Sequence, residues 1–253
     1  LEQSLGIRLI NNYGIGGQTM EQIACRQGSK PLYITLSGNT LSGSTPAIVT
    51  NISTQLLSTQ ADTTSRKLSG VVNGIRCMLV RTVVSSVETY TIRAGNNVST
   101  GVPENSIFYP DTIENSKNDI QIYWWGKNNA TSDLNGLVDL YNNAISIVSE
   151  PKRVVILGVL PSSDQIIGNV NYNNIINANN LLKNTFPNNY VDMNPPTIEE
   201  MDFIKYVPTS QDNVDIANGV FPTGMHYDNV HLNGFGYNII ANRVAKMIKL
   251  YNW

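Results

Sequence analysis

The sequence predicts an α/β chain built on a parallel sheet, over residues 1–30 and 108–253, with a β-rich insertion over 31–107. Three observations predict it. Apolar runs and helical stripes alternate after Asp119, the pattern of strands joined by crossover helices. Val154–Leu160 is almost continuously apolar, as suits a strand buried on both faces. Between Pro31 and Ile107 the helical period disappears, and β-branched runs are punctuated by Gly, Ser and Asn.

In chain order, Leu1–Leu5 reads as the end of a helix and Ile7–Asn11 as a short strand. The glycine-rich turn Asn12–Gly17 then opens a helix near Thr19, where Thr19 and Gln22 have capping-box spacing. Strands are expected at Leu32–Leu36, Ala47–Ile52, Gly74–Val84 and Thr89–Ala94. Ile120–Trp125 is the next strand. A stripe of Leu137, Val138, Tyr141, Ala144, Ile145 and Val148 then marks a helix over Leu134–Val148, which Pro151 stops. After Val154–Leu160 come a helix over Tyr172–Asn184 and a short strand at Tyr190–Met193. Asn194–Gly224 reads as irregular with one set of helical turns. The closing helix, Tyr237–Leu250, presents Ile240, Val244, Met247 and Ile248 on one side.

Composition narrows the function. The 253 residues carry a net charge of −2 with 14% charged residues, so no basic stripe favours nucleic acid. No apolar run approaches the roughly 18–20 residues of a membrane span. Two cysteines, Cys25 and Cys77, allow at most one bridge.

Three segments carry candidate chemistry. Asp228-x-x-His231 can hold a carboxylate against an imidazole within one turn, the oriented-base half of a nucleophilic triad. Asn128, after Trp124–Trp125–Gly126–Lys127, stands at the carboxyl end of an expected parallel strand, where ligands of such sheets gather. Gly17 in the Gly14–Gly17 turn could aim its N–H at a cavity; lacking the G-x-G-x-x-G order, the turn does not suit a dinucleotide. Each has a plainer reading: a surface turn, a helix entry, a tight turn. His226, Asp228 and His231 are also three potential metal ligands, but their intervals match no helical face. Trp124 and Trp125 could stack on sugars, although alternation sends one of them to the core.

Together, Asn12-x-Gly14-Ile15-Gly16-Gly17-Gln18-Thr19, Gly126-Lys127-Asn128 and Asp228-x-x-His231 resemble conserved blocks of the SGNH (GDSL-type) hydrolase family. The resemblance implies a three-layer α/β/α sandwich with a flavodoxin-like parallel sheet. It implies a serine esterase cleaving carboxylic, chiefly acetyl, esters borne by a small molecule or polysaccharide. His231 would be general base, Asp228 its orienter, and Gly17 N–H and Asn128 the oxyanion donors; no cofactor or metal is implied. The family's nucleophilic serine has no counterpart here. Ser4 lies too close to Gly17 to leave room for a helix and strand, and reads as part of the first helix. The absent first strand implies an N-terminal segment or partner chain completing the sheet, since its loss would strand backbone groups on both neighbours. The alternative implied is a catalytically idle glycan-binding or structural module. The setting implied is extracellular, cell-surface or phage-associated.

Overall fold

The computed structural model describes residues 1, 5–6, 9–56, 65–85, 87–96, 98–129 and 133–253. Ser4, most of the expected first helix, and Ile7 and Arg8 lie outside the described residues. Residues 9–11 form no strand. The chain divides into two compact units, one of residues 1–12, 120–138 and 153–253, the other of 13–119 and 139–152.

The second unit is a closed antiparallel β-barrel. Its strands are β1 (Leu32–Leu36), β3 (Ala47–Ile52), β4 (Arg66–Val72), β5 (Ile75–Val84), β6 (Val87–Ala94) and β8 (Ser106–Pro110), in the order β1-β3-β6-β5-β4-β8. The short β2 (Thr40–Ser42) and β7 (Ser99–Gly101) pair separately. Alternation sorts the side chains. Leu32, Ile34 and Leu36, then Val72, Cys77, Leu79, Tyr90, Ile92, Ala94 and Phe108, form one buried cluster. Asn73 and Gly74, at φ 48° and 76°, make the two-residue turn that joins β4 to β5 with the twist a hairpin needs. Closure depends on β8, which pairs with both β1 and β4. Gly70 lets β8 approach, because a Cβ there would lie 2.4 Å from the Tyr109 carbonyl and 2.5 Å from the Phe108 ring. Arg81, 1% exposed, is neutralised by Glu88 at 2.5 Å. Gln55 also donates to Glu88.

Two short helices belong to this unit, α1 (Met20–Gln27) and α2 (Asp111–Ser116). Thr19 and Gln22 form the reciprocal capping box expected of that pair. Cys25 and Cys77 are both buried, free thiols. Burial raises Cys25 and pushes Cys77 up to about 12.

The first unit carries a three-stranded parallel sheet, β9 (Gln121–Tyr123), β10 (Val154–Leu157) and β11 (Tyr190–Val191), in the order β11-β10-β9. Every residue of β10 is buried, as its apolar run requires. The helices are α3 (Leu134–Ser146), which crosses the division between the units, and α4 (Val170–Thr185), α5 (Ile198–Phe203), α6 (Ser210–Ala217) and α7 (Gly234–Leu250). The stretch Asn194–Gly224 thus holds two short helices, each opened by a threonine capping box. Residues of β10, β11 and α7 share a core with Met201, Phe221, Met225 and Leu232. Among the described residues no helix is long and apolar enough to cross a membrane.

The expected three-layer α/β/α sandwich is therefore corrected. Among the described residues the largest sheet is the closed antiparallel barrel, and the parallel sheet has three strands of two to four residues. Strand–helix alternation is a local signal and does not set how many strands a sheet acquires.

Candidate functional site

The Asp228–His231 turn is the most organised of the expected sites, and it is built from beneath. Two buried carboxylates on α6 secure the segment leading to it. Asp212 accepts from the Tyr206 hydroxyl at 2.7 Å and the Gly224 N–H at 2.9 Å, and Asp215 accepts from the Thr223 N–H at 2.7 Å. Beyond the 3-10 turn Thr223–Met225, His226 pairs with Leu232 in an isolated antiparallel bridge, closing a loop over residues 227–231. Asn233 finishes it. Its side-chain oxygen caps α7 by accepting from Phe235 N at 2.9 Å, while its amide donates to the carbonyls of Gly224 and His226. Gly236 permits this packing, since a Cβ there would stand 2.7 Å from the Met225 carbonyl.

Inside the loop, Asp228 Oδ1 accepts the N–H groups of Val230 at 2.8 Å and His231 at 2.7 Å. Its Oδ2 lies 2.8 Å from His231 Nδ1. The His231 N–H, the imidazole and the Val230 N–H, in that order, hold the Asp228 carboxyl down at about 2. An ionised Asp228 thus fixes the ring through Nδ1, leaving Nε2 as the outward nitrogen. Both side chains are exposed, 65% for His231 and 47% for Asp228. His226 turns its Nδ1 to the Asp228 carbonyl at 3.2 Å, and burial lowers its pKa.

A second polar cluster lies in the same unit, after β9. Gly126, at φ 99°, turns the chain, and the Lys127 ammonium donates to Leu160 O at 2.8 Å, Ser162 Oγ at 2.7 Å and Gln165 Oε1 at 3.2 Å. Burial brings Lys127 down to about 8. The Ser163 N–H reaches Asn229 O at 2.9 Å, linking the loop after β10 to the Asp228 loop. Sequence reasoning missed Lys127 and Ser162, whose pairing crosses 35 residues. A lysine immediately after a buried tryptophan and a glycine was the available signal.

The other expected site residues are placed by their own elements. Asn128 stands exposed in the turn after β9, in the unit that holds Asp228 and His231. Gly17, at φ 77°, belongs to the barrel unit, in the turn ahead of the Thr19 cap. Trp125 is 6% exposed, stacked at a tilt 4.8 Å from Tyr123; Trp124 is 37% exposed with its edge to Tyr237.

Comparison with known proteins supplies one relative. The chain is 30% identical over 146 residues to the tail spike protein of Salmonella phage epsilon15, a match covering 54% of this chain and 13% of that protein. The chain thus spans a small fraction of its relative's length. No protein-family model matches the chain, and no solved structure does.

These findings correct the SGNH resemblance and all that it implied for activity. The relative is a tail spike, and the main sheet is an antiparallel barrel, so neither the serine esterase nor an idle SGNH-like module stands. Each motif behind the resemblance has a local cause. The glycine block precedes a capping box, Gly126 serves a left-handed turn, and Asp-x-x-His closes a loop through backbone N–H groups. A phage-associated setting, one of the three expected, fits the relative.

Proposed function

We propose that the chain is a structural and adhesion module of a tail-spike-like protein, acting at the outer surface of a phage particle. The observation that carries this is the 146-residue similarity to a phage tail spike. The closed barrel supports it, because a barrel hides its strand edges and can stand exposed without pairing with copies of itself. Exposed aromatic and polar side chains support recognition of saccharide at the bacterial surface. In the first unit these are Tyr227, Trp124 and Tyr237, with the oriented Asp228–His231 pair and Asn128 as polar contacts. Aromatic faces and fixed donors are what sugar rings require. In this reading Gly17 has a backbone role in its turn.

The test is retention of the full chain on an array of bacterial surface polysaccharides. Saturable retention on a subset is expected, weakened by Tyr227→Ala or His231→Ala. Absence of retention on every polysaccharide would overturn the reading, as would turnover of p-nitrophenyl acetate that His231→Ala abolishes.

A further inference from the structure

The barrel carries a groove on its outer wall. Alternation places Lys67 and Ser69 of β4, Met78 and Val80 of β5, and Thr91 and Arg93 of β6 on the outward face, opposite the buried Leu79 and Ile92. Strand register sets them in rows: Lys67 beside Val80 beside Thr91, and Ser69 beside Met78 beside Arg93. With Arg76 and Asp111 they line a concavity of about 680 Å³. That volume lies within the roughly 300–1,000 Å³ of small-ligand sites.

Its charge is unbalanced. Asp111 is the one acid in the lining and is already held by Arg76 at 3.1 Å. Arg93 donates from Nε to Gly43 O at 2.8 Å, which orients the guanidinium and leaves its terminal N–H groups for another acceptor. Lys67 is exposed and has no ion pair among the described residues. The lining thus holds three cations against one acid, and with Arg76 matched to Asp111, Lys67 and Arg93 have no ion pair among the described residues, on a chain whose net charge is −2. Such a local field favours a compact anion over a long polyanion, which would need a basic stripe. Ser69 and Thr91 add neutral hydroxyls, and Met78 adds a soft apolar floor, so the lining alternates charge, hydroxyl and apolar contact. A hydrated inorganic anion needs only the first of these. A sugar carboxylate uses all three: a planar guanidinium matches the carboxylate, and hydroxyls and an apolar surface match the ring.

Resting on the adhesion reading, we propose that this groove on β4–β5–β6 binds an acidic saccharide through its carboxylate, with Arg93 and Lys67 as the anion contacts. Titration of the full chain with a trigalacturonate oligomer, followed by calorimetry and by amide shifts of β4–β6, tests it. Saturable binding is expected, weakened about tenfold or more by Arg93→Gln with Lys67→Gln, consistent with losing charge-assisted hydrogen bonds. It should also weaken as ionic strength rises and be unchanged by Lys249→Gln on α7. Both substituted residues are exposed, and circular dichroism checks that the barrel persists. Absence of binding would overturn the proposal. So would equal binding of neutral maltotriose, equal binding of inorganic phosphate, or indifference to the double substitution. Polysaccharide retention by the double variant, undiminished on every surface, would defeat the groove assignment while leaving the adhesion reading intact.

Discussion

At the scale of single residues, a carboxylate and an ammonium record their surroundings in opposite ways. Asp228 is held at about 2, so its bonds to Val230 and His231 are fully present above the ordinary carboxylate value and are lost as pH falls through about 2. The Asp228 side-chain carboxyl carbon resonance should therefore show its own titration near 2 and not near the ordinary carboxylate value. Movement centred at an ordinary carboxylate pKa would show that the loop does not hold the charge. Lys127 has the reverse sense. Burial lowers it to about 8, so between that pH and the ordinary lysine value the unfolded chain binds the extra proton and stability rises with pH. The urea midpoint of the native chain, measured against Lys127→Met, should climb from pH 8 to about 10. A flat difference would mean that its three acceptors offset the cost of burial.

Elements are decided by caps and close approaches. Asn233 holds both the first turn of α7 and the end of the Asp228 loop, so Asn233→Ala should cost at least the ~1 kcal/mol of an ordinary cap. Urea unfolding measures this, and a loss of a few tenths would show that the two carbonyl bonds contribute nothing. Gly70→Ala should cost about 1–3 kcal/mol, since the added methyl meets Phe108 and backbone of β8, which cannot both yield. Hydrogen exchange should locate the weakening at the β4–β8 seam. Glu88→Ala should cost about 3 kcal/mol, because it removes the carboxylate paired with the buried Arg81 guanidinium. That loss would be read as a fall in thermal midpoint.

Across the whole molecule, each unit has a core among the described residues, the barrel cluster around Leu79 and Phe108 in one and a cluster around Phe221 and Leu232 in the other. Leu79→Ala should cost about 2–5 kcal/mol and Phe221→Ala about 3–5 kcal/mol. Each should lower amide protection first in its own unit, as expected where every core is contiguous within itself. Uniform loss of protection from either substitution would indicate a single cooperative fold.

What the sequence determined by itself was local. The Thr19–Gln22 box, the buried run that became β10, the stripe of α7 and the Asp228–His231 pairing depend on neighbours within a few residues, and each has the form its spacing implies. The hairpin signal Asn73–Gly74 was equally present, between β-branched runs. Tertiary structure alone decided the barrel. Alternation shows which face of a strand is buried but not which strand it meets, and closure brings Leu32 beside Phe108 from the far end of the β-rich stretch. The same holds for the polar clusters: Lys127 meets Ser162, and Lys67 and Arg93 line one hollow, only because folding sets distant segments side by side. A hydrogen bond or a field depends on distance in space, and spacing along a chain specifies that distance only within a turn or a hairpin.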